Sequence, residues 1–382
     1  LIFFVFNKKI NFKKYVIFYF LIGYFISQIF GLFFSGNEIE NVSFIISAIT
    51  AILTIILLDN FFSKSEKNYF LIISFVILNI VFFTTFLPIF IKYLDGASIY
   101  GGFLTSEVFF GKDSPRSSGL ARMALLILIF VEFFEINYFK RYSKKIFFFK
   151  ITFLTFIFLF QSRTIIFLII LIYLIFFINQ NKLTLINFFK FISSYIFIPL
   201  ILFFILSTYN SYRFSKIDYI KSNEELSYIE HLSSEELRIL RVMSKGDISS
   251  GRFNDWKKIL KDISGDDIIF GLGAQGDRYL INQTASNALI YAYSSSGLIG
   301  TTFFIIFLLM DFFKIIKILL YYFRNNENYI LFCLIPVSLI LRGILETSFA
   351  VFSVDLIIFI LALSFFFDNN IKIKDILIKY SK

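Results

Sequence analysis

The repetition of apolar stretches about twenty residues long limits this chain more than any other feature. In hydrocarbon the backbone N–H and C=O groups must be satisfied within the segment, so a stretch that crosses about 30 Å of bilayer core does so as a helix. Eight stretches are long enough, near 15–34, 42–62, 69–91, 119–138, 187–207, 285–310, 329–347 and 350–367. The run at 146–178 is too long for one crossing and is interrupted by Gln161, Ser162 and Arg163, which reads as a tight hairpin of two further helices. The expectation is an all-α integral membrane protein with about ten transmembrane helices. Composition agrees: 58% of the residues are hydrophobic, 58 of 382 are Phe, and the mean hydropathy is +0.78. The first stretch is too long for a signal-peptide core and lacks a small-residue cleavage site, so it reads as an uncleaved span.

Lys and Arg in the short connections set the orientation. Lys8, Lys9, Lys13 and Lys14 precede the first span, Lys64 and Lys67 follow the second, and Lys140, Arg141, Lys144 and Lys145 follow the fourth. Lys182 and Lys190, then Lys314, Lys317 and Arg324, and finally the basic tail from Lys372 continue the alternation unbroken. These groups mark the cytoplasmic side, with both termini cytoplasmic. The net charge of +10 is then mostly a topology signal, and no nucleic-acid partner is expected. Three regions follow: 1–207 with helices one to seven, a long external loop at 208–284, and 285–382 with helices eight to ten and a cytoplasmic tail. The loop holds 11 basic and 12 acidic residues and is the only segment of soluble-domain size. Its patterns predict an amphipathic helix or helix pair over 222–244 and a second helix from 252 that ends at glycines.

One cysteine, Cys333, in an apolar run and one histidine, His231, among polar loop residues leave no intrachain disulfide and no Cys- or His-based metal cluster. No cofactor and no metal are expected. The loop segment "IIFGLGAQGDRYL" places Gly271, Gly273 and Gly276 at a G-x-G-x-x-G spacing. A dinucleotide loop needs a strand before, a helix after and an acid about twenty residues on. No acid lies between Asp277 and Asp311, and an external loop meets no dinucleotide or ATP.

A charge held at membrane depth costs about 2.5–3.5 kcal/mol on insertion scales, so charges near the external face need a reason. Arg116, Arg163, Arg342 and Glu346 stand out. Snorkelling is the plain account of Arg163, and an ion pair on one helix face that of Arg342 and Glu346; Asp355 lies near enough to join them. Arg252 and Trp256, four apart, suit a surface cation–aromatic contact. Glu132 and Glu135 are spaced for acid–base work but fall toward the cytoplasmic end of span four. Asp266 and Asp267 are two adjacent loop acids, ordinarily solvated. The arginines that converge on the external side suit a diphosphate, because the guanidinium fork binds two oxygens at once and keeps its charge.

The segments "SPRSSGL" at 114–120, "QSRTIIFLIIL" at 161–171, "SGRFNDW" at 250–256, "IIFGLGAQG" at 268–276 and "SNALIYAYSSSGLIG" at 286–300 resemble, in type and order, the Wzy-type O-antigen polymerase and O-antigen ligase superfamily of bacterial polysaccharide enzymes. The glycine loop is similar to that family's turn from the loop helix into the next membrane segment. The resemblance implies a GT-C-like fold with a partly helical periplasmic loop in the bacterial inner membrane. It also implies metal-independent glycosyl transfer from an undecaprenyl-diphosphate-linked oligosaccharide, and a chain-length regulator protein as partner. Arg163 and Arg252, and less closely Arg116, match positions that hold the diphosphate, with Arg342 added from the charge pattern. Asn287 matches the acceptor side, and Trp256, Gly271 and Gly273 match structural positions. Many members, ligases especially, carry a His-Asn pair where this chain has Ser286-Asn287, which argues for a polymerase over a ligase and leaves Glu346 as the candidate base. A ligase keeps the chemistry and changes the acceptor. A lipid-linked oligosaccharide flippase or other carrier would show repeated halves or discontinuous helices, and neither is evident in the sequence.

Overall fold

The computed structural model describes residues 15–35, 41–61, 64–94, 99–100, 103–104, 117–137, 143–160, 162–179, 189, 191–221, 252–282, 284–325 and 330–368. The helices are α1 Val16–Ser35, α2 Val42–Phe61, α3 Lys64–Leu94, α4 Ser117–Asn137, α5 Ser143–Leu159, α6 Arg163–Asn179, α7 Ile198–Lys221, α8 Arg252–Asp262, α9 Asp267–Phe270, α10 Gly276–Ile281, α11 Ala288–Asn325, α12 Ile330–Gly343 and α13 Val354–Asp368. A π-helical turn, Ser193–Phe197, leads into α7. A two-residue antiparallel ladder, Ile99–Tyr100 with Phe103–Leu104, follows α3; two residues per strand are too few to read from a period-2 pattern.

Among the described residues, each of the apolar stretches contains a helix. Five contain a segment long and apolar enough to cross a membrane: 16–35, 42–60, 72–91, 193–210 and 288–317. The apolar parts of α6, α12 and α13 are shorter. The membrane helices expose large apolar side chains such as Phe33 and Ile80 while burying others such as Phe18 and Phe82. Helices apolar on all sides are built for a hydrocarbon surround. The chain is therefore a predominantly helical integral membrane protein.

The residues fall into two compact units, Leu1–Phe70 with Arg252–Arg324 and Phe332–Lys382, and Leu71–Gly251 with Asn325–Leu331. In the first, α2 packs against α1 and α13, and an aromatic ladder forms its core. Tyr24 meets Phe304 at 4.8 Å, Phe304 meets Phe349 at 5.7 Å, and Phe349 stacks on Phe359 at 4.4 Å. In the second, α5 packs against α4 and α7, with Phe82, Phe86, Phe153 and Phe156 in mutual contact. Lys150 of α5 lies buried between Glu132, 2.7 Å away, and Glu135 of α4, below the Tyr195 ring. The two carboxylates thus serve as partners of a buried lysine.

Helix α11 is discontinuous. Gly297 adopts φ 57°, ψ −160°, a conformation that essentially only glycine reaches, and separates 288–296 from 298–325. No discontinuous helix is evident in the sequence, and the structure has one at Gly297. The loop helix expected from residue 252 is α8. The 222–244 segment, His231 and Arg116 lie outside the described residues.

Candidate functional site

In the first unit the glycine loop fills the break in α11. Gly271 ends α9 at φ 76°, ψ −176°, again a conformation restricted to glycine. A Cβ on Gly271 would overlap the Ser296 and Gly297 nitrogens, and one on Gly297 would lie 2.6 Å from the Gly271 nitrogen. The two backbones therefore touch. The Leu272 and Gly273 N–H groups donate to the Ser294 and Ser295 carbonyls at 2.8 and 3.0 Å, so the carbonyls released by the break are satisfied as buried polar groups require. On its other side the loop lies against α1: Phe270 stacks on Phe34 at 4.2 Å, and a Cβ on Gly31 would come within 2.6 Å of the Gly273 nitrogen. A cavity of about 290 Å³ beside it is walled by apolar surface from Gly23, Phe30, Phe270, Ser296 and Phe303.

The peptide of Ala285 is gripped from both sides. Trp256 of α8 donates its indole N–H to the Ala285 carbonyl at 2.6 Å, and the Ala285 N–H donates to Asp277 at 2.7 Å. Asp277 is fully buried, and its second carboxylate oxygen has no hydrogen-bond partner. Burial pushes its carboxyl up to about 6, against the Ala285 and Arg278 N–H groups and the Arg278 charge, which pull it down.

Asn287 caps α11: its side-chain oxygen accepts the N–H groups of Leu289 and Ile290 at 2.8 and 2.9 Å, as an N-cap asparagine does. Its amide donates to the Ile344 carbonyl at 2.8 Å. Ser286, where the resemblance placed a histidine, has φ 52°.

Four charged side chains form a chain at the α12–α13 turn. Arg342, in the last turn of α12, pairs directly with Asp355, in the first turn of α13. Each charge suits its helix end. Ser348 also donates to Asp355, at 3.2 Å. The second terminal nitrogen of Arg342 lies 3.5 Å from Glu346, and Arg252 reaches the other Glu346 oxygen at 3.9 Å. Helix α12 stops at Gly343, so the turn after it, with the Leu345 N–H bonded to the Arg342 carbonyl at 2.9 Å, holds the Arg342–Glu346 pair. One shared helix face, as the spacing suggested, does not. Arg252 faces Glu346 while Trp256 faces Ala285, so these two side chains serve separate contacts.

The structure thus joins Arg252, Arg342 and Glu346, and ties Asn287 to the same turn through Ile344. Arg163 begins α6 in the second unit, exposed. The sequence reading passed over Asp277, whose signal was only an acid directly after the glycines. It also passed over Asp311, buried in α11 with neither oxygen hydrogen-bonded.

Residues 148–305 match the family model described as O-antigen ligase. No curated protein and no solved structure matches the chain. The matched stretch contains Arg163, Arg252, the glycine loop and Asn287 in the order of the motifs, so this part of the chain is similar to the O-antigen ligase family.

Proposed function

We infer that this protein is a polysaccharide polymerase of the bacterial inner membrane. In this reading ten helices span the bilayer with both termini in the cytoplasm, and the site lies on the periplasmic side. The observation that carries it is the approach of Arg252 and Arg342, from separate parts of the chain, to one point at Glu346. Two guanidiniums at one point suit the diphosphate of a lipid-linked glycan, and the apolar cavity of the same unit suits hydrocarbon. Arg163 and Arg116 enter this reading only as positions that the resemblance matches to diphosphate binding.

A hydroxyl of the acceptor sugar attacks the anomeric carbon of the donor. The new carbon–oxygen bond forms as the bond to the diphosphate oxygen breaks, and the lipid diphosphate departs with the electron pair. The leaving group is already anionic and needs no proton, so catalysis rests on the arginines that meet its developing charge. The hydroxyl proton passes to Glu346, and Asn287 fixes the turn that carries it. By analogy with glycoside hydrolysis the transition state has oxocarbenium character, and the anomeric centre inverts.

The family match supports ligase and polymerase alike, so an O-antigen ligase is the second reading. Ser286 in the position of the ligase histidine weighs against it. The break in α11 gives a carrier little support, since the glycine loop fills it and uses its freed carbonyls. A deletion strain separates the readings: loss of a polymerase leaves single repeat units on the surface anchor, loss of a ligase removes attached glycan entirely. Purified protein given lipid-linked repeat units releases lipid diphosphate and longer glycans if it is the enzyme proposed, and only moves substrate if it is a carrier.

A further inference from the structure

Glu346 is placed where the proposed diphosphate would bind, and its contacts are unlike the other acid's. Asp355 is fully buried, hydrogen-bonded by both Arg342 and Ser348, and fixed at the start of a helix. Glu346 lies in the turn beyond α12, 24% exposed, at 3.5 and 3.9 Å from its two arginines. Those distances exceed the 2.7–2.9 Å of a charge-assisted hydrogen bond. Arg342 is therefore anchored through one nitrogen and offers the other, while Arg252, 27% exposed, offers its end from α8. The charges also decide the matter: two guanidiniums and two carboxylates sum to zero, leaving nothing for an anion to gain. Once Glu346 moves aside, two positive charges face one buried negative charge.

We propose that Glu346 is an internal stand-in for the substrate's diphosphate, occupying the Arg252–Arg342 fork in the empty enzyme and displaced when the lipid diphosphate binds. This rests on the polymerase reading of the same site and adds an order of events. Donor binding frees the carboxylate, which is then available to the acceptor hydroxyl, so the base is released only when a donor is in place. In the empty enzyme Glu346 and Asp355 together neutralise the two arginines. Glu346 is thus both occupant and gate of the anion site.

The test is equilibrium binding of farnesyl diphosphate and of inorganic pyrophosphate to the full-length protein in lipid nanodiscs. Glu346→Gln removes the competing charge and keeps the shape, so it should tighten both probes about ten-fold, part of what one unit charge roughly 4 Å away supplies at a partly solvated site. Glu346→Asp, which withdraws the carboxylate by one methylene, should tighten them less, and thermal unfolding identifies any variant that has lost its fold. Arg252→Ala should weaken both probes. Equal or weaker binding by Glu346→Gln, with Arg252→Ala still impaired, overturns the stand-in and leaves the diphosphate site standing. Probes that bind neither the wild type nor Glu346→Gln overturn the site itself and the stand-in with it.

Discussion

Asn287 donates its amide to the Ile344 carbonyl at 2.8 Å while its oxygen takes the first N–H groups of α11. One side chain thus fastens the start of α11 to the turn that presents Glu346. Asn287→Asp keeps the capping oxygen and loses the donor, so its stability should stay near wild type while polymer synthesis falls. Asn287→Ala loses both and should cost about 1 kcal/mol of stability as well. Unfolding temperature and glycan chain length, measured together, separate cap from tether, and wild-type synthesis by Asn287→Asp would remove the tether from the mechanism.

The arginines differ in how they should fail. Arg252 is partly exposed and its carboxylate contact is long, so Arg252→Ala should unfold within about 1 kcal/mol of wild type yet lose about a hundred-fold or more in polymerisation rate. Arg342→Ala leaves Asp355 buried without its guanidinium, which should cost about 3–5 kcal/mol and appear first as poor accumulation in the membrane.

Two glycines at positive φ give a matched pair of substitutions. Gly265 has φ 62° with open space where a Cβ would go, whereas a Cβ on Gly271 meets backbone. Gly265→Ala should cost about 1 kcal/mol for the left-handed conformation. Gly271→Ala adds overpacking against α11, for about 3 kcal/mol or more in total. Hydrogen exchange should show the break in α11 losing protection only in the second, and equal effects would mean that the backbones do not touch.

Asp277 sets a pH dependence. Its folded value of about 6 lies above the ordinary 3.8, so the folded protein binds this proton more tightly than the unfolded chain does. That contribution to stability is complete below about pH 4 and is lost as pH rises through about 6, roughly 3 kcal/mol in all. Asp277→Asn keeps an acceptor for the Ala285 N–H and cannot titrate. The difference in unfolding temperature between wild type and Asp277→Asn should change across pH 4–6 and be flat above it; a difference independent of pH would show that Asp277 does not titrate there.

The helices were legible because hydrocarbon demands long apolar runs, and 16–35 or 42–60 admits no other reading. Arg342 and Glu346 were legible as charges too costly to lie near a membrane without a reason, and Arg252 only through the resemblance carried by "SGRFNDW". The joint between Gly271 and Gly297 was not, because each glycine reads as a local event and only contact between chain segments shows that they share one space. Nor was the α12 end at Gly343, since four-residue spacing is satisfied equally by a helix and by the turn that follows it. Asp277 was hidden for a similar reason: burial is a property of the neighbours, and a lone acid after glycines reads as solvated.

The interlocked glycines also make α11 two rods meeting at a pin. The shorter rod, 288–296, is held at both ends, by the loop N–H groups on the Ser294 and Ser295 carbonyls and by Asn287 on the Ile344 carbonyl. The bend is therefore a fixed angle built into the helix, and a substitution at either glycine would disturb the position of Asn287 as well as the joint itself.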